Sequence, residues 1–137
     1  MPAPSRDLIR GVPLFAETDE VFVDRLADEF SSRSYASGDL IAEEGERGQT
    51  FFVIESGAAT VLVDGNEVRR LGPGDSFGEM ALIDKSARSA TVRADTEVHG
   101  YQLPVFSFRP IVESHPEMVW ALLEALAQRV REAESRT

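Results

Sequence analysis

Cysteine is absent from the 137 residues, and histidine occurs only twice, as His99 and His115. The first absence excludes disulfides and thiolate metal sites. The second leaves too few imidazoles, too far apart, for the clustered ligands of a metal-holding barrel. No run approaches the roughly eighteen uncharged apolar residues of a membrane span. Met1 to Gly11 lack the apolar core of a secretory signal, so the cytoplasm is the expected location. Positive charge is also scarce: 14 Lys and Arg face 24 Asp and Glu, a formal charge of −10. That field repels phosphate backbones, so direct nucleic-acid binding is not expected. No Ser/His/Asp or Cys/His arrangement and no Walker loop is present, which leaves catalysis without machinery. The reading is of a non-enzyme with no cofactor, no metal and no membrane contact.

What is present suits one folded unit spanning residues 1–137, long enough for one hydrophobic core. Residues 1–32 read as helical. Asp7 to Arg10 form a short helix ended by Gly11 and Pro13, and Thr18 suits the N-cap of a second, with Asp19 and Glu20 favoured by the helix dipole. Val21, Phe22, Leu26, Ala27 and Phe30 give that helix an apolar stripe, and Ser31 and Ser32 end it. From residue 33 to 104 the period changes to that of strands. Phe51 to Ile54 and Ala59 to Val63 are β-rich runs, and Asp64-Gly65-Asn66 is a hairpin turn leading to Val68 through Leu71. Gly72-Pro73-Gly74-Asp75 turns again, and Thr91 to Arg93 and Val98 to Tyr101 alternate like two more strands. Many short strands at regular turn spacing indicate a sandwich or barrel. After Pro104 two helices are expected, Val105 to Glu113 and Glu117 to Glu134, separated by His115-Pro116. Val119, Leu122, Leu123, Leu126 and Val130 form the stripe of the second, and Trp120 reads as core or dimer packing.

One segment inside the β-region reads as a helix. Phe77-Gly78-Glu79-Met80-Ala81-Leu82-Ile83 precedes Arg88-Ser89-Ala90-Thr91, and residues 77 to 94 carry Lys85, Arg88 and Arg93 against Glu79 and Asp84. This is a basic island in an acidic chain. A buried carboxylate, Glu79, can accept from a sugar hydroxyl. A guanidinium, Arg88, offers a planar fork for two parallel bonds to a phosphate. Gly78 permits close backbone approach, Ala81 leaves room, and backbone N–H groups from Gly78 through Met80 to Ala81 add donors. Ser89 and Ala90 add a hydroxyl and a backbone donor. A glutamate and an arginine nine residues apart are most often an incidental surface pair; it is the ordered conjunction that carries weight.

That conjunction resembles the phosphate-binding cassette of the cyclic nucleotide-binding domain family, here over residues 77–91. Ser37-Gly38-Asp39, Glu44-Gly45, Phe52 to Gly57 and Gly72 to Glu79 resemble the approach to it, so the likeness runs the length of the chain. The resemblance implies a mainly β fold with flanking helices: an eight-stranded jelly-roll-like barrel (double-stranded β-helix), N-terminal helices and two C-terminal helices. It implies a cyclic nucleotide as ligand, with Val61, Val68 and Leu71 lining the purine pocket. For Val61 plain barrel core is an equal reading. Where bacterial transcription-factor relatives carry a base-reading hydroxyl, this chain has Ala133. A hydroxyl after the arginine, Ser89, occurs with both bases; cAMP is favoured over cGMP. The resemblance further implies that ligand binding moves the helices after Pro104 and so acts on an effector protein or fused domain, or through a homodimer made by the last helix. The alternative is a ligand-free scaffold that keeps the fold and binds a partner.

Overall fold

The structure, a computed structural model, describes residues 3–47, 50–84 and 87–135. It begins with α1 (Arg6–Arg10), a 3-10 turn (Pro13–Phe15) and α2 (Glu20–Glu29). The N-cap of α2 is Asp19, whose carboxylate accepts from Phe22 N at 2.9 Å. Thr18, expected in that role, is buried and donates its hydroxyl to Phe15 O. Phe22, Val23 and Leu26 form the buried face, while Val21 is exposed. Phe30 turns extended, so Ser31 and Ser32 open the first strand rather than end the helix.

Among the described residues eight strands follow: β1 (Ser31–Tyr35), β2 (Leu40–Ala42), β3 (Thr50–Ser56), β4 (Ala59–Val63), β5 (Asn66–Leu71), β6 (Ser76–Phe77), β7 (Thr91–Ala94) and β8 (Val98–Pro104). They form two antiparallel four-stranded sheets, ordered β1-β8-β3-β6 and β2-β7-β4-β5. This is the jelly-roll arrangement the resemblance implied, although among the described residues no ladder joins the sheets into a closed barrel. Asp64 and Gly65 join β4 to β5 with φ of 51° and 80°, the two positive values a tight hairpin requires. Between β6 and β7 lies α3 (Glu79–Asp84). The chain ends with α4 (Val105–Ser114), a 3-10 turn (Pro116–Met118) and α5 (Val119–Ser135).

The apolar run of β3 does not alternate with polar residues because both of its faces are covered. Phe51 and Val53 face a cluster built with Phe15, Phe22, Phe108 and Leu122 of the helices. Phe52 and Ile54 face a second cluster, between the sheets, with Ala59, Leu71, Val92 and Val98. The first cluster also takes in Ala81 and Leu82, so α3 is anchored among the helices while its first residue reaches toward the sheets. The apolar residues of α5 divide between two faces. Leu122 is buried and Leu126 half-buried, whereas Trp120, Leu123, Ala127 and Val130 are exposed.

Candidate functional site

Strand β6 brings the site together. Its pairing with β3 sets Phe77 opposite Phe52 and Ser76 opposite Val53, which delivers Gly78 to the start of β3. Gly78 has φ +87°, and a Cβ there would collide with Arg88 Nη1 and stand 3.0 Å from the Thr50 carbonyl oxygen. Only glycine lets the chain turn here and lets the arginine lie across it. Arg88 is brought from the other side: its backbone N donates to Glu46 O and its carbonyl accepts from Gly45 N. Arg88 Nη2 donates to Thr50 O at 2.6 Å and to Thr50 Oγ1 at 3.3 Å, and the guanidinium lies 5.6 Å from the Phe77 ring centroid.

The electrostatics of Arg88 are unusual for an arginine held by protein. Among the described residues no carboxylate forms an ion pair with it, and its Nε and Nη1 groups donate to no protein acceptor. Burial pushes its pKa below the ordinary arginine value, and the more distant Glu46 offsets only part of this. The site therefore holds a partly dehydrated cation with no carboxylate partner among the described residues.

Glu79 is the first residue of α3, with its side chain 12% exposed. Its Oε2 accepts from the Ser76 hydroxyl at 3.2 Å, and its Oε1 accepts from Arg129 Nη1 of α5. The two groups thus differ: Arg88 lacks a carboxylate, while Glu79 is tied to the last helix.

Both face a cavity of about 240 Å³. Gly78, Met80 and Ala81 line it beside Glu79, and Ser89 and Ala90 beside Arg88. Across from them stand Val61 and Leu71. Val68 is not part of this lining and is 58% exposed. The register explains the difference: Ala59 pairs with Leu71 and Val61 with Arg69, then an irregularity pairs Leu62 with Glu67 and leaves Val68 outside the ladder. The inward positions of β5 are therefore Leu71 and, two residues earlier, Arg69, which lines the cavity. Lys85 lies outside the described residues. A wider groove of about 980 Å³ adjoins the cavity and shares Arg69, Ser76, Glu79 and Arg129 with it; Ala133 lies there, not in the smaller cavity.

Arg69 and Arg129 were not among the residues singled out from sequence. Strand parity counted back from Leu71 points to Arg69. On α5, Arg129 follows buried Leu122 by seven residues, two helical turns, on the face turned to the molecule.

The chain is similar to known proteins in sequence and in fold. A family described as "Cyclic nucleotide-binding domain" matches residues 32–115. The chain is 36% identical over 113 residues to human potassium/sodium hyperpolarization-activated cyclic nucleotide-gated channel 2, covering 82% of this chain and 13% of the channel. It is 35% identical over 126 residues to channel 3 of mouse, covering 92% of this chain and 16% of that one. It thus spans less than a fifth of these curated relatives. Among solved structures, the N-terminal domain of a transcriptional regulator from Streptomyces coelicolor A3(2) superposes with a TM-score of 0.84 at 33% identity, over 94% of this chain and 96% of that one.

Proposed function

The chain belongs to the cyclic nucleotide-binding domain family, and on that premise we propose that it is a cytoplasmic receptor for a cyclic nucleotide, not an enzyme. The observation that carries the reading is Arg88: a half-buried guanidinium that has no carboxylate among the described residues and lines a cavity that Glu79 shares. A cyclic phosphate supplies the missing anion, and a ribose 2′-hydroxyl supplies a donor for Glu79. The ligand-free scaffold is the weaker reading, because a chain without a ligand has no use for an unneutralised cation in that place.

Coupling to an output follows from Glu79. Its carboxylate holds Arg129 of α5 and is also the group that meets the ribose, so a ligand that alters its bonding alters the hold on α5. A ligand biases only states that it binds unequally, and α5 with and without its tie to the cassette are two such states. The other side of α5 presents Trp120, Leu123, Ala127 and Val130 at spacings of three, four and three, the seam of a two-helix contact. That seam suits a second copy of the chain, and an effector protein or a further domain is the other route for the signal.

The test is calorimetric titration with cAMP and cGMP, on wild type, Arg88→Ala and Glu79→Gln. Micromolar or tighter binding is expected for wild type. Arg88→Ala should weaken it by about 2–4 kcal/mol, since a charge-assisted bidentate contact is lost. Glu79→Gln should cost less, because an amide oxygen still accepts from the hydroxyl. If neither nucleotide binds wild type, the receptor reading is wrong. The sugar and phosphate are common to cAMP and cGMP. The cAMP preference expected from sequence rests on residues outside that half of the site.

A further inference from the structure

A second set of interacting side chains lies on the sheet β1-β8-β3-β6 and lines neither the cavity nor the groove. His99 of β8 stands opposite Ser34 of the edge strand β1 and opposite Ser56 of β3. The β3–β8 ladder advances two residues on β3, from Ile54 to Ser56, for one on β8, so Glu55 is the extra residue of a bulge. The Ser34 hydroxyl is 3.0 Å from His99 Nδ1, and Glu55 Oε1 is 3.6 Å from Nε2 on the other side of the ring. Tyr101, two residues along β8, donates its hydroxyl to Glu55 Oε2 at 3.2 Å and packs T-shaped on the imidazole, with 5.6 Å between centroids. Sixty-five positions separate Ser34 from His99, so only strand pairing brings the arrangement into view.

The order of the groups gives each a role. Tyr101 is buried, and burial first and Glu55 second push its pKa up, so the phenol stays a donor and clamps the carboxylate. A carboxylate facing Nε2 favours the tautomer with its proton there, which leaves the Nδ1 lone pair for the serine proton. A serine hydroxyl is a weak nucleophile alone, and a base within hydrogen-bond reach, itself oriented by a third group, activates it. Ser34 is exposed, so a reagent can reach the hydroxyl, while the half-buried imidazole and the buried phenol hold it from behind. Ser32, two residues back on the same strand, stands opposite Tyr101 instead of an imidazole.

We propose that Ser34 is a covalent modification site: a serine activated by His99 and Glu55 that takes an acyl group from an activated acyl donor, an acyl phosphate or an activated ester. The Ser34 oxygen attacks the carbonyl carbon as its proton passes to His99 Nδ1. The bond from that carbon to the leaving oxygen then breaks. The phosphate or alcohol departs with the bonding pair, and the imidazolium gives its proton to it or to solvent. The product is an O-acyl serine, and nothing is oxidised or reduced. Ser34 lines neither of the two cavities, so selective turnover is not expected; one acyl group per chain is. The receptor reading neither requires this site nor falls with it.

The experiment treats the 137-residue chain with acetyl phosphate and, separately, with p-nitrophenyl acetate, and follows acetylation by intact-mass and peptide mass spectrometry. Hydroxylamine, which removes esters and spares amides, separates serine acetylation from that of Lys85 or the N-terminus. One ester on Ser34 is expected, with Ser31 and Ser32 of the same strand unmodified. His99→Gln should slow its formation about a hundredfold, the low end for a positioned general base, and Ser34→Ala should abolish it. Glu55→Gln keeps an acceptor for Tyr101 but loses the charge; it should slow the reaction less, with the unfolding midpoint unchanged. Nitrogen NMR should find the His99 proton on Nε2 in wild type and that preference weakened in Glu55→Gln, which a merely structural carboxylate would not produce. No ester at Ser34, esters spread evenly over the three serines of β1, an unchanged rate in His99→Gln, or a proton on Nδ1 each overturns the assignment.

Discussion

Replacing Arg88 by methionine separates a binding residue from a structural one. In a structural ion pair, removing one partner strands a buried charge and costs about 3–5 kcal/mol. Arg88 strands none, because no described carboxylate pairs with it. Two opposing effects remain. Methionine abolishes the bonds to Thr50, at 2.6 and 3.3 Å, whose acceptor is half-buried and within reach of water. It also removes the dehydration that already pushes the arginine pKa down, a sign that the folded state disfavours this charge. The lost bonds cost on the order of 1 kcal/mol and the relieved dehydration opposes that loss, so the net change should stay within about 1 kcal/mol, or about 3–4 °C in the midpoint of a domain this size.

The ligand response should behave quite differently. At a cyclic nucleotide concentration of a hundred times Kd, wild type gains about 2.7 kcal/mol, which corresponds to about 9 °C. Arg88→Met should show almost none of this gain at the same concentration. The assay is thermal unfolding by circular dichroism, with and without cAMP and cGMP. A variant that melts about 10 °C or more below wild type yet still responds to ligand would show that Arg88 holds the fold and not the phosphate.

Gly78→Ala should abolish binding and destabilise by about 1–3 kcal/mol, since it combines positive-φ strain with a collision against Arg88. Gly74→Ala is its control: φ is +89° but a Cβ meets nothing within 4 Å, so it should lower stability and spare titration with ligand. Arg129→Ala should raise amide hydrogen exchange in the second half of α5 at a cost of about 1 kcal/mol, and unchanged exchange there would remove the proposed tie to Glu79. Val130→Glu should convert a dimer to monomer by sedimentation velocity; a wild type that is monomeric at high micromolar concentration refutes the seam. Tyr101, buried and donating to Glu55 at 3.2 Å, has a pKa raised by burial first and by Glu55 second. The fold thus favours the neutral phenol: its contribution is whole below the unfolded value of about 10 and is lost as pH rises through the folded value. Alkaline titration of stability should therefore be flatter in Tyr101→Phe.

Much of the fold was legible because hairpin chemistry and apolar runs are local. Asp64-Gly65 announces its turn, and β3 announces a strand covered on both faces by having no polar alternation. Where the reading failed, non-local pairing decided. Val68 is apolar and in the expected strand, but the irregular register between β4 and β5 removes it from the inward row. On α5 two apolar stripes overlap in sequence, and only packing shows that Leu122 and Leu126 turn inward while Leu123 and Val130 turn outward. Thr18 and Asp19 both suit an N-cap, and the choice falls to Asp19 because the Thr18 hydroxyl is taken by Phe15 O. Gly78, Glu79 and Arg88, which line one cavity, could be singled out together because they are close in sequence. Arg129 was not, since it reaches Glu79 from fifty residues away.

The charge pattern around the cavity links these observations. With 24 acidic residues available, pairing a guanidinium is easy, and Arg129 and Arg93 both have carboxylates. Arg88 and Arg69, which front the same cavity, do not among the described residues. A carboxylate 4 Å from Arg88 would hold it with about 4 kcal/mol at an effective dielectric of 20. A cyclic phosphate would have to overcome that before gaining anything. Leaving Arg88 unpaired removes this competition at the cost of a dehydrated cation. The tied carboxylate, Glu79, follows the opposite logic, because its partner is carried by α5, the helix proposed to report on the ligand. An acidic chain whose cavity holds a cation with no carboxylate among the described residues, beside a carboxylate tied to α5, fits a small monoanion. Titrating the Glu79→Gln, Arg88→Met double variant tests that division of labour. If the two residues hold separate parts of one ligand, the losses should add within about 0.5 kcal/mol; a large coupling would mean that Glu79 acts mainly by positioning Arg88.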